Sequence, residues 1–191
     1  MMKSLLYTTL LGMMFSCAVP AVLAQDEEDS PKPSRKVKAD KKKKSASPVV
    51  TAVKKVKKVK GRLNDKANYF IYLYSASWCG PCCQEMPEIV ETYKDIKKSG
   101  KVDIVLFCQD KTLSDAKNFV KRFNIKFLTV MGNDDKVKKV PGYAQVGGIP
   151  HCIFVDRYGR TITSGHPGQL MSSWAMHTID NGEPEAPEEK E

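Results

Sequence analysis

The stretch Ser75-Ala-Ser-Trp-Cys-Gly-Pro-Cys-Cys-Gln-Glu-Met-Pro87 decides the fold. It follows Tyr69-Phe-Ile-Tyr-Leu-Tyr74, a continuous apolar run suited to a strand buried on both faces. Behind it, Met86, Ile89, Tyr93 and Ile96 recur at helical spacing until Gly100 breaks the chain. Cys79-Gly-Pro-Cys82 therefore sits where a buried strand hands over to a helix. At a helix N-terminus, unsatisfied N–H groups and the macrodipole favour an anion. A thiol placed there gives up its proton more readily and becomes a nucleophile near neutral pH. Cys79 reads as the thiol that attacks a substrate disulfide. Cys82, one helical turn on, reads as the thiol that resolves the mixed disulfide, leaving a Cys79–Cys82 disulfide. Gly80 is expected to permit the turn, and Pro81 suits the first helical turn.

Outward from this point the pattern alternates. Val102 to Cys108 is apolar except for Asp103, as in a second buried strand. Thr112-Leu-Ser-Asp115 has the form of a capping box, with Ala116, Phe119, Val120 and Phe123 as the helix stripe. Phe127 to Met131 suits a short strand, and Val137 to Tyr143 an irregular or short helical piece. Cys152-Ile-Phe-Val155 and Arg160-Thr-Ile-Thr163 flank the turn Asp156-Arg-Tyr-Gly159 and signal a hairpin. Leu170, Met171, Trp174 and Thr178 suit a closing helix. This order predicts an α/β domain with a mixed sheet. A further signal is Gly147-Gly-Ile-Pro150, just before the Cys152 strand. A proline at a strand start lacks a ladder donor and often marks a cis peptide.

Residues 61–180 resemble the thioredoxin superfamily, and within it the exported TlpA/ResA-like redoxins. Tryparedoxin-like enzymes are also similar in Ser75-Ala-Ser-Trp-Cys79. The matching residues are Trp78-Cys-Gly-Pro-Cys82, Glu85-Met-Pro87 and Gly148-Ile-Pro150. The resemblance implies a three-layer fold, a mixed central β-sheet flanked by helices. It implies a cis Pro150 facing the two cysteines, keeping metals off the thiols. The Ile149 backbone would pair with an extended substrate. Trp78 would shield the disulfide and form part of the docking face. Pro87 matches the family's kinking proline, and the Gly-Pro dipeptide is the one found in reducing members.

Two departures stand out. Many thioredoxins carry a buried Asp six residues before the first cysteine; here that position is Leu73. Proton handling then falls to water or another group, and Glu85 is near in sequence. Cys83 stands where relatives have a basic residue, which removes a positive charge beside the site. Cys83 reads as a small, partly buried apolar side chain. Two functional alternatives are an accessory or regulatory thiol, and a Cys79-x-x-x-Cys83 copper pair like that of Sco proteins. In the fold the resemblance implies, the strands of Cys108 and Cys152 lie on opposite sides of the Tyr69–Tyr74 strand, about 9.6 Å apart, too far for a disulfide. His151, next to Pro150, is a candidate neighbour of the site. His166 and His177 read as surface residues. No four-ligand zinc spacing or phosphate-cradling Gly loop occurs, so no cofactor or metal is implied.

The chain has 191 residues and a formal net charge of +9, unevenly spread. Residues 32–60 hold 13 Lys/Arg and one acid, Asp40, while residues 61–191 hold 17 Lys/Arg and 17 Asp/Glu. The basic character belongs to a tail and not to a domain. No aromatic interrupts it between Phe15 and Tyr69, which disfavours nucleic acid as a partner. An anionic surface is the partner it suits. Residues 1–24 read as a signal peptide or membrane anchor: Lys3, then an apolar Leu5 to Leu23, with Ala24 as a cleavage site. Lipidation at Cys17 is a rival. Residues 25–60 read as a disordered linker in which Val53, Val56 and Val59 could form one amphipathic turn or a short first strand, 61–180 as the domain, and 181–191 as a disordered acidic tail. These features predict an exported, periplasmic oxidoreductase. Its partners would be proteins with disulfides and an electron-donating membrane thiol protein. Direction remains open to an oxidase or isomerase of the same fold.

Overall fold

The structure is a computed structural model and describes residues 46–180 and Pro184. The segment 1–24, residues 25–45 of the linker, and the acidic tail apart from Pro184 lie outside the described residues. Six strands form one sheet in the order β1-β4-β3-β2-β5-β6. They are β1 (Lys58–Lys60), β2 (Tyr69–Ser75), β3 (Val102–Cys108), β4 (Leu128–Met131), β5 (His151–Asp156) and β6 (Thr161–Gly165). Strands β2, β3 and β4 run parallel, while β1, β5 and β6 pair antiparallel. The helices are α1 (Pro48–Val53), α2 (Gly80–Ser99), α3 (Leu113–Arg122) and α4 (Pro167–Asp180), with a 3-10 turn at Asp135–Lys139. This is the thioredoxin-like α/β architecture with its mixed sheet.

Strand β2 is buried along its whole length, and its side chains alternate between two cores. Tyr69, Ile71 and Leu73 face a cluster built with Met86, Ile89 and Ile96 of α2, Phe119 of α3 and Leu170 of α4. Phe70, Tyr72 and Tyr74 face a second cluster that includes Val49, Val50 and Val53 of α1 and Val137 of the 3-10 turn. Local signals set the ends of the helices. Thr112 caps α3, accepting from the Asp115 N–H, and Gly100 ends α2 in the left-handed region at φ 66°.

One expectation is corrected here. The sequence places residues 46–60 in the solvated linker, with the domain starting at 61. The structure folds them: α1 closes the second face of the sheet, and Val49, Val50, Val53 and Val56 are buried. The isolated segment cannot bury valines by itself, so it reads as polar coil until the Phe70–Tyr72–Tyr74 face is there to receive it. Of the two forms expected for Val53, Val56 and Val59, a short first strand is met at Val59, as β1, while Val53 ends α1.

Candidate active site

Cys79 is the N-cap of α2. Its Sγ accepts from the Cys82 N–H at 3.2 Å, and Pro81 lies in the first turn. Cys79 and Cys82 form a disulfide with Cα atoms 5.2 Å apart. The pair is nearly covered, at 6% and 1% exposed, whereas Trp78 beside it is 65% exposed. The Ile149–Pro150 peptide is cis, and the Ile149 carbonyl oxygen lies 3.6 Å from Cys79 Sγ. Ile149 also packs on Ala76, Cys79 and Cys82. Strand, helix and cis-proline loop thus meet at one point, from residues about 70 positions apart.

The tyrosines of β2 place that loop. Tyr72 Oη donates to the Pro141 carbonyl at 2.7 Å, and the Ala144 N–H donates to Tyr74 Oη at 3.3 Å. Tyr143 packs on Tyr74 and Phe107 with ring centroids 5.7 and 5.1 Å apart. Burial pushes the Tyr72 and Tyr74 hydroxyls well above their ordinary pKa, so both stay protonated. Gly142, at φ 76°, lets the loop run against the Gly159 carbonyl, where a Cβ would clash.

Next to the disulfide, between Trp78 and the loop, a cavity of about 460 Å³ is lined by Tyr74, Gln109, Tyr143, Gln145 and Val146. No charged side chain lines it. A second cavity of about 550 Å³ shares Gln109, Tyr143 and Gln145 with it and is also lined by Asp134 and Asp135.

The other residues singled out from the sequence divide. Glu85 has its Oε1 3.0 Å from His166 Nε2, and its Oε2 is buried with no hydrogen-bond partner. Leu73 is buried and sits opposite Cys152 in the sheet register. Cys83, Cys108 and Cys152 are free, and β3 and β5 do flank β2 on opposite sides. Cys83 is half-buried and donates to the Ser77 carbonyl at 3.4 Å. His151 lies 6.4 Å from the Tyr74 ring, centroid to centroid. Gly80 is not needed for a left-handed turn: it is helical, with open space where a Cβ would stand. Among the described residues, no group of three or more His, Cys, Asp or Glu is arranged to hold a metal ion. Also among them, no helix is long and apolar enough to cross a membrane.

Three residues at the site escaped the sequence reading. Asp110 is 1% exposed and accepts from Ser77 Oγ at 2.7 Å, Ser77 N–H at 3.1 Å and Cys108 Sγ at 3.0 Å. A signal for it existed: Gln109-Asp110 is the first polar pair after a buried parallel strand, and functional groups gather at the carboxyl ends of such strands. Ser77 could have been linked to it only through that placement. His166, in the turn before α4, carried no local signal, since its partner Glu85 lies on the distant helix α2.

Known proteins match this domain. Residues 67–161 match the thioredoxin-like family model. A thiol-disulfide oxidoreductase ResA from Bacillus cereus is 36% identical over 86 residues, covering 45% of this chain and 47% of the relative. A probable nucleoredoxin 1 from Arabidopsis thaliana is 29% identical over 101 residues, covering 52% of this chain and 17% of the relative. The chain spans about half the length of the ResA relatives it matches. Among solved structures, the thioredoxin domain of a thiol-disulfide oxidoreductase from Bacteroides vulgatus aligns with TM-score 0.53 and 25% identity, over 64% of this chain and 90% of that one. A thioredoxin from Wuchereria bancrofti aligns with TM-score 0.50 and 26% identity, over 64% and 94%. The family match runs from just before β2 to the first residue of β6, the span that brings Cys79, Cys82 and Pro150 together, and over these residues the domain is thioredoxin-like.

Proposed function

We propose that the protein is an exported thiol–disulfide oxidoreductase that reduces disulfides in client proteins. The observation that carries this reading is the closed Cys79–Cys82 pair at the N-terminus of α2, with the Ile149 carbonyl against it. The ResA and Bacteroides likenesses support it. In the reduced protein, the Cys79 thiolate attacks one sulfur of a client disulfide. The client's other sulfur leaves as a thiolate and takes up a proton. The Cys82 thiolate then attacks the Cys79 sulfur, closing Cys79–Cys82 and releasing the second client thiol. Two electrons pass to the client, and a membrane thiol protein returns them. No cofactor takes part. Trp78 and the Ile149 backbone receive an extended client segment, and the uncharged cavity beside them takes a neutral side chain flanking the client cysteine. Glu85 handles the proton of the resolving thiol in place of the Asp that Leu73 displaces. Residues 1–24 support export, and the Lys-rich segment supports attachment to an anionic surface.

The test is the reduction potential, read by Trp78 fluorescence in defined thiol buffers. A value near about −270 mV is the expected result for a reductase, and one near about −120 mV makes the protein an oxidant. Absence of a two-electron transition overturns the redox reading.

A further inference from the structure

The Ser77 peptide is held from both sides by groups that the proposed exchange does not use. Its N–H and its Oγ both donate to the Asp110 carboxylate, at 3.1 and 2.7 Å. Its carbonyl accepts from Cys83 Sγ at 3.4 Å. Asp110 accepts in addition from Cys108 Sγ at 3.0 Å. Burial, and then the hydrogen bond to Asp110, pushes the Cys108 thiol far up, so it keeps its proton and acts as the donor. A carboxyl group that is 1% exposed is costly unless its acceptors are met. Its donors Ser77 and Cys108 come from the loop before Cys79 and from the end of β3. An apolar residue would fill the same space without that cost, so packing alone does not account for Asp110.

The two residues after Ser77 are Trp78 and Cys79. In the oxidised protein the Cys79–Cys82 bond itself tethers this loop. In the reduced protein that tether is gone, whereas the hydrogen bonds to Ser77 do not involve either sulfur of the pair. We propose that Asp110 and Cys83 are positioning residues for disulfide exchange, clamping the Ser77 peptide so that Trp78 and Cys79 keep their placement against Ile149 when the disulfide is open. This rests on the oxidoreductase reading above and gives the third thiol of the Cys79–Cys83 cluster a role distinct from both resolving and metal binding. It also separates two kinds of reaction. A client must be aligned between Trp78 and Ile149 as well as attacked, whereas a small alkylating agent needs only an accessible thiol.

The test uses the full-length reduced protein and two probes, a disulfide-bonded peptide and iodoacetamide. First, the wild type must reduce the peptide; if it does not, the oxidoreductase reading fails and not the clamp. In Asp110→Ala, kcat/KM for the peptide is expected to fall about tenfold or more. Alkylation of Cys79 in the same variant is expected to stay within about twofold of wild type. Parallel loss of both rates, or an unchanged peptide rate in a folded variant, overturns the proposal. If Asp110→Ala does not fold, Cys83 decides. Cys83→Ala is expected to slow the peptide reaction, and Cys83→Ser, which keeps a donor for the Ser77 carbonyl, to restore it. Equal rates for the alanine and serine variants overturn the clamp.

Discussion

His166 Nε2 lies 3.0 Å from Glu85 Oε1, joining the turn before α4 to the second turn of α2. The other Glu85 oxygen, Oε2, is buried without a hydrogen-bond partner. Cys152 shares this neighbourhood: burial first, then the Glu85 charge, pushes its thiol well up. Glu85 stands one turn beyond Cys82 on the same face of α2. An unsatisfied carboxyl oxygen inside a protein is costly, and in the proton-transfer role proposed above it is the atom free to take up the proton.

Glu85→Gln removes that capacity while keeping shape. The exchange rate is expected to fall about 100-fold, within the range for loss of a proton-transfer group. His166→Ala, which leaves the carboxyl in place, is expected to cost less. Stopped-flow rates of peptide reduction check both. A Gln variant as fast as wild type removes Glu85 from the mechanism.

Cys79→Ser is expected to lower peptide reduction to the uncatalysed rate, because the attacking sulfur is lost. Cys82→Ser keeps the attack and loses the resolving step. It should accumulate a mixed disulfide through Cys79, seen as a mass increase equal to the client and reversed by excess thiol. A variant of Cys82 that turns over normally would point to Cys83 as the resolving thiol.

Stability is expected to fall on the alkaline side. Burial raises the Cys108 and Cys152 thiols above 9.0 and the Tyr72 and Tyr74 hydroxyls above 10.0, their ordinary values. The folded state therefore holds protons that the unfolded chain releases. Their stabilisation is complete below the ordinary values and is lost as pH climbs towards the raised ones. Each group that ionises only on unfolding contributes a slope of about 1.4 kcal/mol per pH unit. Urea unfolding between pH 8 and about 11 measures the slope. Cys152→Ala should make it shallower, and an unchanged slope would show that Cys152 is not protected by the fold.

Residues 46–60 belong to the domain, so a chain beginning at residue 61 is expected to be several kcal/mol less stable than one beginning at residue 46. Each buried valine of α1 contributes about 1.5–3 kcal/mol relative to exposure. Within the intact chain, Val53→Ala should cost about 2 kcal/mol, from lost burial and the cavity left under Tyr72 and Phe70. Thermal unfolding of the two chains compares them directly. Equal midpoints would mean that α1 is dispensable.

How much of this was readable before folding depends on the range of the interaction. β2 and α2 were legible because their cause is local. A six-residue apolar run and a stripe of Met86, Ile89, Tyr93 and Ile96 are written into neighbouring positions, and Gly100 marks the end. The same holds for Thr112 capping α3 and for the Asp156–Gly159 hairpin turn. Cys79 and Cys82 were legible for a further reason: the spacing that closes the disulfide is itself a sequence spacing. Even the separation of Cys108 from Cys152 followed once their strands were placed on either side of β2.

What tertiary structure alone decided lies between distant segments. The valines of α1 look like part of a basic linker because their partners, Phe70 and Tyr72, come later in the chain and on one face of the sheet only. Asp110 looks like an ordinary polar residue after a strand until the parallel pairing of Ser75 with Cys108 brings the Ser77 loop over it. Glu85 and His166, some 80 residues apart, meet only because α4 packs back on α2. Periodicity and spacing record what a segment does with its own neighbours. A buried hydrogen bond or ion pair between remote segments leaves no such record, because its geometry exists only after the hydrophobic faces have docked.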